Sequence, residues 1–291
     1  MKQQQVFFHP SVIIRAPILP FHPLFSEEDL MQWSGSPLGH EALLVASADF
    51  LQEIRHVQGR LPRPLRRTLT NYYSRACSRC TPFGLFAGCG VVGWGPVTDL
   101  ELNSGQFRRH ARPDMEWLRR LTQYLETDVF REQLRFAPNT SLHVIGQQIR
   151  YIEMSYEGTA KRYALRSADR TPELETLLDV CRRRAATLTE LTAVLTGRGF
   201  SEADSAAYVE ALVDAQVLES DLTPNVTGEP YFSRVSRLVN AFSSDPDNDP
   251  ICQWFKALQS HFDQINETLH PHPATVYEAI HETARRVNLP C

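Results

Sequence analysis

The residues best equipped for chemistry lie between Asn71 and Gly95, in NYYSRACSRCTPFGLFAGCGVVGWG. They sit in a window, Ile54 to Leu100, that carries seven arginines (Arg55, Arg60, Arg63, Arg66, Arg67, Arg75 and Arg79) and a single carboxylate, Asp99. The window is therefore at +6, and because the whole chain is at -4 the remainder carries -10. An acidic chain that gathers arginine in one place and excludes acid there is built to hold an anion. The guanidinium fork suits phosphate or carboxylate in a way that a lysine point charge does not. A solvated basic face with incidental RNA binding is the plainer alternative.

Other residues raise the same question. Arg15 interrupts the apolar run Val12 to Pro20. In a buried strand it must be presented to a partner, and on an edge strand it stands in solvent; the sequence leaves both open. A second basic group, Arg108, Arg109 and Arg112, precedes Asp114, which is well placed as a helix N-cap. Cys77-x-x-Cys80 has a spacing used by zinc and redox sites, but only Cys89 stands near, so the pair reads as small buried thiols. Arg75 and Arg79 could lower a thiol pKa there. His261, His270, His272 and His281 have no partners at ligand spacing, and no metal site is expected. The glycines 84 to 95 are not a phosphate loop, because no G-K-[ST] follows.

The elements that position these groups can be outlined. Val12 to Pro20 reads as a strand. Ser26 to about Gln58 reads as helix, with Ser26, Glu28 and Asp29 at its start. A second helix over Leu65 to Ala76 follows Pro64 and, if it continues, sets Arg75 and Arg79 one turn apart on one face, ending where Pro82 forces Thr81 out of helical geometry. A tight turn then feeds an apolar strand. At 291 residues the chain can bury a sizeable core and form more than one packed unit. Six cysteines are too few for a disulfide scaffold, no run of 18 apolar residues exists, and the start, MKQQQVFFHPSVIIRAP, lacks a signal peptide's apolar stretch. A cytoplasmic address is expected.

Residues 141–222 read as a module of their own. A hairpin turns at Glu157-Gly158, and three helices begin at Thr171-Pro172-Glu173, at Thr187 with Glu190, and at Ser201 with Asp204. Val217 to Glu219 returns as a strand. That outline is winged-helix-like, yet the third helix, from Glu202 to Asp214, holds four acids and no base, which a duplex repels. It suits a peptide better, and Ile149 and Tyr151 on the hairpin with Tyr208, Leu212 and Val213 on the helix are the candidate contacts. The expected fold is α+β: a mixed sheet-and-helix region over 1–140, the inserted module over 141–222, and a helical tail over 223–291.

The pattern Arg75-x3-Arg79-x-Thr81-Pro82-Phe83-Gly84-Leu85-Phe86-Ala87-Gly88 resembles the signature of the lantibiotic dehydratases, at the front of their glutamyl-tRNA-dependent glutamylation domain. Arg15-Ala16-Pro17 matches an R-x-P unit near that family's start, and Asp114 matches an aspartate that follows a basic strand. The resemblance implies that Arg15, Arg75, Arg79, Thr81 and Asp114 belong to a glutamylation site, with Asp114 orienting an arginine. Arg63, Arg66, Arg67, Arg75 and Arg79 would meet tRNA, and the inserted module would grip the leader of a ribosomal precursor peptide as an added strand. The chemistry implied is acyl transfer from glutamyl-tRNA to Ser or Thr, then β-elimination. No cofactor is implied beyond glutamyl-tRNA as co-substrate, no DNA is bound, and a cyclase is a possible biosynthetic partner. The family's glutamylation domain extends beyond Cys291 and an elimination domain follows, so a chain of this extent is expected to be incomplete as an enzyme. A non-catalytic peptide-binding or scaffolding protein is the rival reading. Arg15, Arg75 and Arg79 are expected to converge in space.

Overall fold

The computed structural model describes residues 8–57, 59–100, 108–157, 160–225, 227–269 and 271–286. Two compact units emerge, one built on residues up to 111 together with 257–286, the other on residues 112–256.

In the first unit β1 (Ser11–Pro17) pairs antiparallel with β2 (Ala87–Gly93), setting Arg15 opposite Cys89. The helix expected over 26–58 is three helices: α1 (Glu27–Gly35), α2 (Pro37–Ala46) and α3 (Ala48–His56). Ser26 and Asp29 form the capping box of α1. The breaks are local chemistry, because the Ser36 hydroxyl accepts from the Gly39 N–H at 3.1 Å and the Ser47 hydroxyl from Phe50 N–H at 3.3 Å. Pro37 sits in the first turn of α2, where its missing N–H costs nothing. Gly39 is obligatory there, since a Cβ would lie 2.0 Å from the Trp33 carbonyl oxygen. The α4 helix (Arg63–Ser78) packs Leu69 and Ala76 into a core with Leu30, Trp33, Leu43 and Phe86.

In the second unit Asp114 caps α5 (Met115–Tyr124), which runs into a π-helical turn, Leu125–Val129. Strand β3 (Phe136–Pro138) pairs with the late strand β7 (Leu218–Ser220). Between them lies an antiparallel sheet in the order β4 (His143–Ile145), β5 (Gln148–Glu157), β6 (Ala160–Asp169). Three helices follow, α6 (Pro172–Arg183), α7 (Leu188–Thr196) and α8 (Glu202–Asp214), each starting at the Thr or Ser cap that the sequence signalled. The hairpin reversal expected at Gly158 lies outside the described residues. The boundaries expected at 140 and 222 both fall inside this unit, for a physical reason. The β3–β7 pairing stitches the two ends of the module to what precedes it. The Tyr231 hydroxyl of α9 (Tyr231–Phe242) bonds to Thr122 and the Leu222 carbonyl.

The last helices are α10 (Pro250–Glu267) and α11 (Ala274–Arg285). The described part of the tail is helical, and two of its histidines bond within it. His272 Nε2 donates to the Ile265 carbonyl at 3.3 Å, His261 Nε2 lies 3.2 Å from the Thr283 hydroxyl, and His270 is outside the described residues. Among the described residues no group of His, Cys, Asp and Glu could hold a metal ion, and no helix is long and apolar enough to cross a membrane.

Candidate anion-binding site

Helix α4 carries arginine at both ends. Arg63, Arg66 and Arg67 crowd its first turn, where the positive end of the helix dipole disfavours cations, and no acid accompanies them there. Glu27 of α1 compensates in part, lying 3.3 Å from Arg66 and 3.5 Å from Arg60. Arg63 and Arg67 remain exposed with no carboxylate partner among the described residues. At 1.5 Å of rise per residue, Arg67 and Arg75 stand about 12 Å apart along the axis. The two ends are therefore spaced for an extended polyanion that meets both.

At the C-terminal end the helix stops at Ser78, three residues before the expected stop at Thr81. Arg79 is the C-cap, extended at φ -108 and ψ 118, so it does not share a helical face with Arg75. Its N–H donates to the Arg75 carbonyl at 3.0 Å and its side chain is exposed. Thr81 is exposed beside it. Arg75 is half-buried with its guanidinium carbon 4.5 Å from the centroid of the Phe83 ring. Its Nε is buried without a hydrogen-bond partner. Phe83 stacks on Phe86 (6.0 Å, 12°), which stacks on Tyr72 (5.4 Å, 11°). The Thr-Pro-Phe-Gly segment thereby makes a turn, closed by Phe86 N–H to the Phe83 carbonyl at 3.1 Å, with Gly84 at φ +51.

Arg15 is exposed on the outer face of β1 with Ile13, which decides between its two readings in favour of solvent. Two backbone bonds bring this strand to the same end of the unit, Leu19 N–H to the Ala76 carbonyl at 2.9 Å and Ile18 N–H to the Phe86 carbonyl at 3.1 Å. Arg15 precedes Leu19 by four residues, at most about 14 Å of extended chain. The chain at Leu19 thus meets the end of the helix that bears Arg75, with Arg79 three residues past Ala76 and Arg15 up to about 14 Å back along the strand.

Two expectations change character. Arg109 belongs to no anion cradle: it forms a buried, bidentate pair with Glu41, at 2.8 and 2.6 Å, with side chains 2% and 0% exposed. The Tyr277 hydroxyl donates to the same carboxylate at 2.6 Å, and burial pushes its pKa up. This knot ties α2 to α11 and was invisible in sequence because its members are far apart. The cysteine pair is also not a buried pair, since Cys77 is buried and Cys80 exposed. Burial pushes the Cys77 thiol up, opposite to the effect expected of the neighbouring arginines.

In the second unit Asp114 is exposed, and its Oδ1 accepts from the N–H groups of Glu116 (2.9 Å) and Trp117 (3.1 Å), which is the capping role. Of the residues expected to grip a peptide, Ile149, Tyr151, Leu212 and Val213 are buried in the unit's own interior and Tyr208 is half-buried. Alternation revealed two faces of the hairpin but not which is inside. The exposed apolar groups are Ile152, Tyr163 and Leu165. Backbone pairing locates an open edge. Arg170 N–H bonds to the Gln147 carbonyl at 2.9 Å, so with Gln148 opposite Asp169 the even residues of β6 face β5 and the odd ones point away. The far side of β5 is already satisfied. Asn139 and Ser141 bond to Ile152, and the Gln216 amide bonds to both N–H and C=O of Met154, at 2.9 and 2.8 Å. Among the described residues nothing pairs with the outward groups of Tyr163, Leu165 and Ser167, while the Asp169 carbonyl accepts from the Thr171 N–H at 3.1 Å.

The chain is similar to known proteins in sequence and in fold. The chain is 26% identical over 218 residues to subtilin biosynthesis protein SpaB of Bacillus subtilis, covering 75% of this chain and 20% of that protein. The fold superposes on the tRNA-dependent lantibiotic dehydratase MibB from Microbispora sp. 107891 with a TM-score of 0.71 at 21% identity, over 97% of this chain and 28% of that one. It is also similar to the glutamylation domain of TbtB, from thiomuracin biosynthesis, bound to 5′-phosphodesmethylglutamycin (TM-score 0.53, 16% identity, 91% and 33% covered). The chain therefore spans a third or less of each of these proteins. Residues 36–291 match the family described as "Lantibiotic dehydratase, N terminus", and with the match running over most of its length the chain belongs to that family.

Proposed function

We propose that this chain supplies the N-terminal region of a glutamyl-tRNA-dependent glutamylation domain, in which the end of α4 receives the glutamyl ester. Support comes above all from Arg75, stacked on Phe83 with no carboxylate beside it, next to the exposed Arg79 and Thr81. In the reaction a Ser or Thr hydroxyl of a precursor peptide attacks the ester carbonyl of glutamyl-tRNA. A new ester C–O bond forms, the bond to the ribose oxygen breaks, and the hydroxyl proton passes to that oxygen. Arg75 and Arg79 bind the glutamyl carboxylate or terminal phosphates and stabilise the oxyanion. Arg15 adds charge at the same end of the unit, and Thr81 a hydroxyl. Asp114 enters through the family resemblance, with its Oδ2 left free by the cap. Arg63 and Arg67 at the far end of α4 meet tRNA phosphates, and Arg66 between them is paired with Glu27. An activated ester needs no strong general base, and no cofactor beyond glutamyl-tRNA enters the scheme. The three-stranded sheet and α6–α8 act as the winged-helix-like leader-binding module. A cytoplasmic location suits substrates of this kind.

A second reading, a peptide-binding scaffold without catalysis, is favoured by the open edge of β6 and by nothing in the first unit. Glutamyl-tRNA separates the two. The chain should bind it, and replacing Arg75 and Arg79 with alanine should weaken binding by roughly tenfold or more, at about 1.5 kcal/mol per charge-assisted contact. Equal affinities for wild type and variant in fluorescence anisotropy would leave the scaffold reading standing.

A further inference from the structure

An arginine that must be both fixed and charged presents a conflict. A carboxylate partner would fix it, but would also neutralise it and compete with an incoming anion. That device is used at Arg109, where Glu41 takes the Nε–Nη2 edge of the fork and the Thr268 and Leu269 carbonyls accept from Nη1. Arg75 is held differently. Its guanidinium carbon lies 4.5 Å from the Phe83 centroid, its Nε is buried without a partner, and no carboxylate lies within salt-bridge distance among the described residues. An aromatic face attracts a cation through its quadrupole and leaves the N–H edges unoccupied. Phe83 is itself braced, stacked on the fully buried Phe86 and placed by the turn at Gly84.

We propose that Phe83 is the positioning residue of Arg75, holding its guanidinium by a ring face so that the Nη N–H groups stay free for the carboxylate or phosphate of the acyl donor. Phe83 does not touch the substrate. It acts through Arg75 alone, and this role rests on the anion-binding reading of the α4 terminus. Because Phe83 is 48% exposed, replacing it opens no core cavity. A loss of function at this position is therefore separable from a loss of fold.

The test uses the whole chain and 5′-phosphodesmethylglutamycin as probe, in calorimetric titrations of wild type, Phe83→Leu, Phe83→Tyr, Arg75→Ala and the double variant Phe83→Leu/Arg75→Ala. Phe83→Leu should weaken binding about fivefold and Phe83→Tyr should restore it, as expected for the loss and return of a ring face under a cation. In the Arg75→Ala background Phe83→Leu should have no further effect, because a residue that works only through Arg75 has nothing left to position. An undiminished effect of Phe83→Leu in that background, or affinity equal to wild type without the ring, overturns the proposal. The Arg75 Nε–Hε resonance gives a probe-free check. It should carry the ring-current shift of the Phe83 face and lose it in Phe83→Leu, and an unmoved resonance sinks the role of Phe83 alone. Failure of wild type to bind the probe, or equal binding by Arg75→Ala, instead overturns the reading of the site, and the role of Phe83 with it.

Discussion

Arg75 and Arg109 are the same residue type in basic stretches of one unit, and their surroundings make them opposites. Arg109 is spent on holding α2 to the C-terminal helices, and removing it would strand the buried Glu41 charge. Arg75 is spent on nothing else in the described chain. A comparable contrast exists among the acids. Glu126, in the π-helical turn, has its pKa raised by burial first, and by the like charges of Asp221 and Glu219, against the lowering effects of Ser220 and Arg131. A raised folded pKa means that the folded state holds the proton more tightly than the unfolded chain does. That contribution is complete below the ordinary value of 4.5 and is lost as pH rises through the raised one. Glu126→Gln, which mimics the protonated form, should therefore stabilise the protein at neutral pH and leave it nearly unchanged in mild acid. Urea denaturation across pH 4 to 8 should show the gap between variant and wild type widening as pH rises. A gap that narrows would place Glu126 in a polar, ion-paired setting.

In the three-stranded sheet of the second unit the far side of β5 is closed over Ile152 and Met154, and the outer edge of β6 is open from Tyr163 to Ser167. Closing β5 required an unusual residue. Gln216 sits at φ +57, the one non-glycine position with positive φ among the described residues, and from there its amide pairs with Met154 as a strand would. Among the described residues nothing equivalent covers β6, so an extended peptide can add there by main-chain bonds, with Tyr163 and Leu165 beside it. Ser167→Pro removes one outward N–H while residues 166 and 168 keep their bonds to β5, and proline is tolerated on such an edge. The variant should fold normally yet lose at least about tenfold in affinity for a labelled leader peptide, a few main-chain bonds at about 1 kcal/mol each. Unchanged peptide affinity in a titration would move the docking site elsewhere. Much of this unit was legible beforehand, because caps such as Thr187 with Glu190 are local chemistry. The faces of β5 were not, since Ile149 and Ile152 look alike until the strand's neighbours decide which is interior. In the first unit the Thr-Pro-Phe-Gly turn could be read, but the pairing of Arg66 with Glu27 and of Arg109 with Glu41 joins residues that only the fold brings together.

Across the whole molecule the charge is uneven, +6 over residues 54–100 against -10 elsewhere. Only part of that basic charge is available. Arg60 and Arg66 share Glu27, which leaves five of the seven window arginines (55, 63, 67, 75 and 79) without a carboxylate among the described residues. Arg15, also without one, makes six. Each tRNA phosphate neutralised releases counterion worth about 0.7 to 0.9 in the slope of log affinity against log salt. If these six arginines carry the contact, the slope should be no steeper than roughly -5, from six contacts at about 0.9. The acidic remainder works against non-specific binding and should keep the affinity for duplex DNA low. Replacing Arg63 and Arg67 should make the slope shallower by about 1.5 and leave the affinity for 5′-phosphodesmethylglutamycin unchanged, because that end of α4 is about 12 Å or more from Arg75. Replacing Arg75 should weaken the small ligand as well as tRNA. Anisotropy titrations from about 50 to 300 mM salt, with calorimetry on the small ligand, separate the two ends of the helix. Equal losses of both ligands from either end would mean that α4 presents a single undivided basic face.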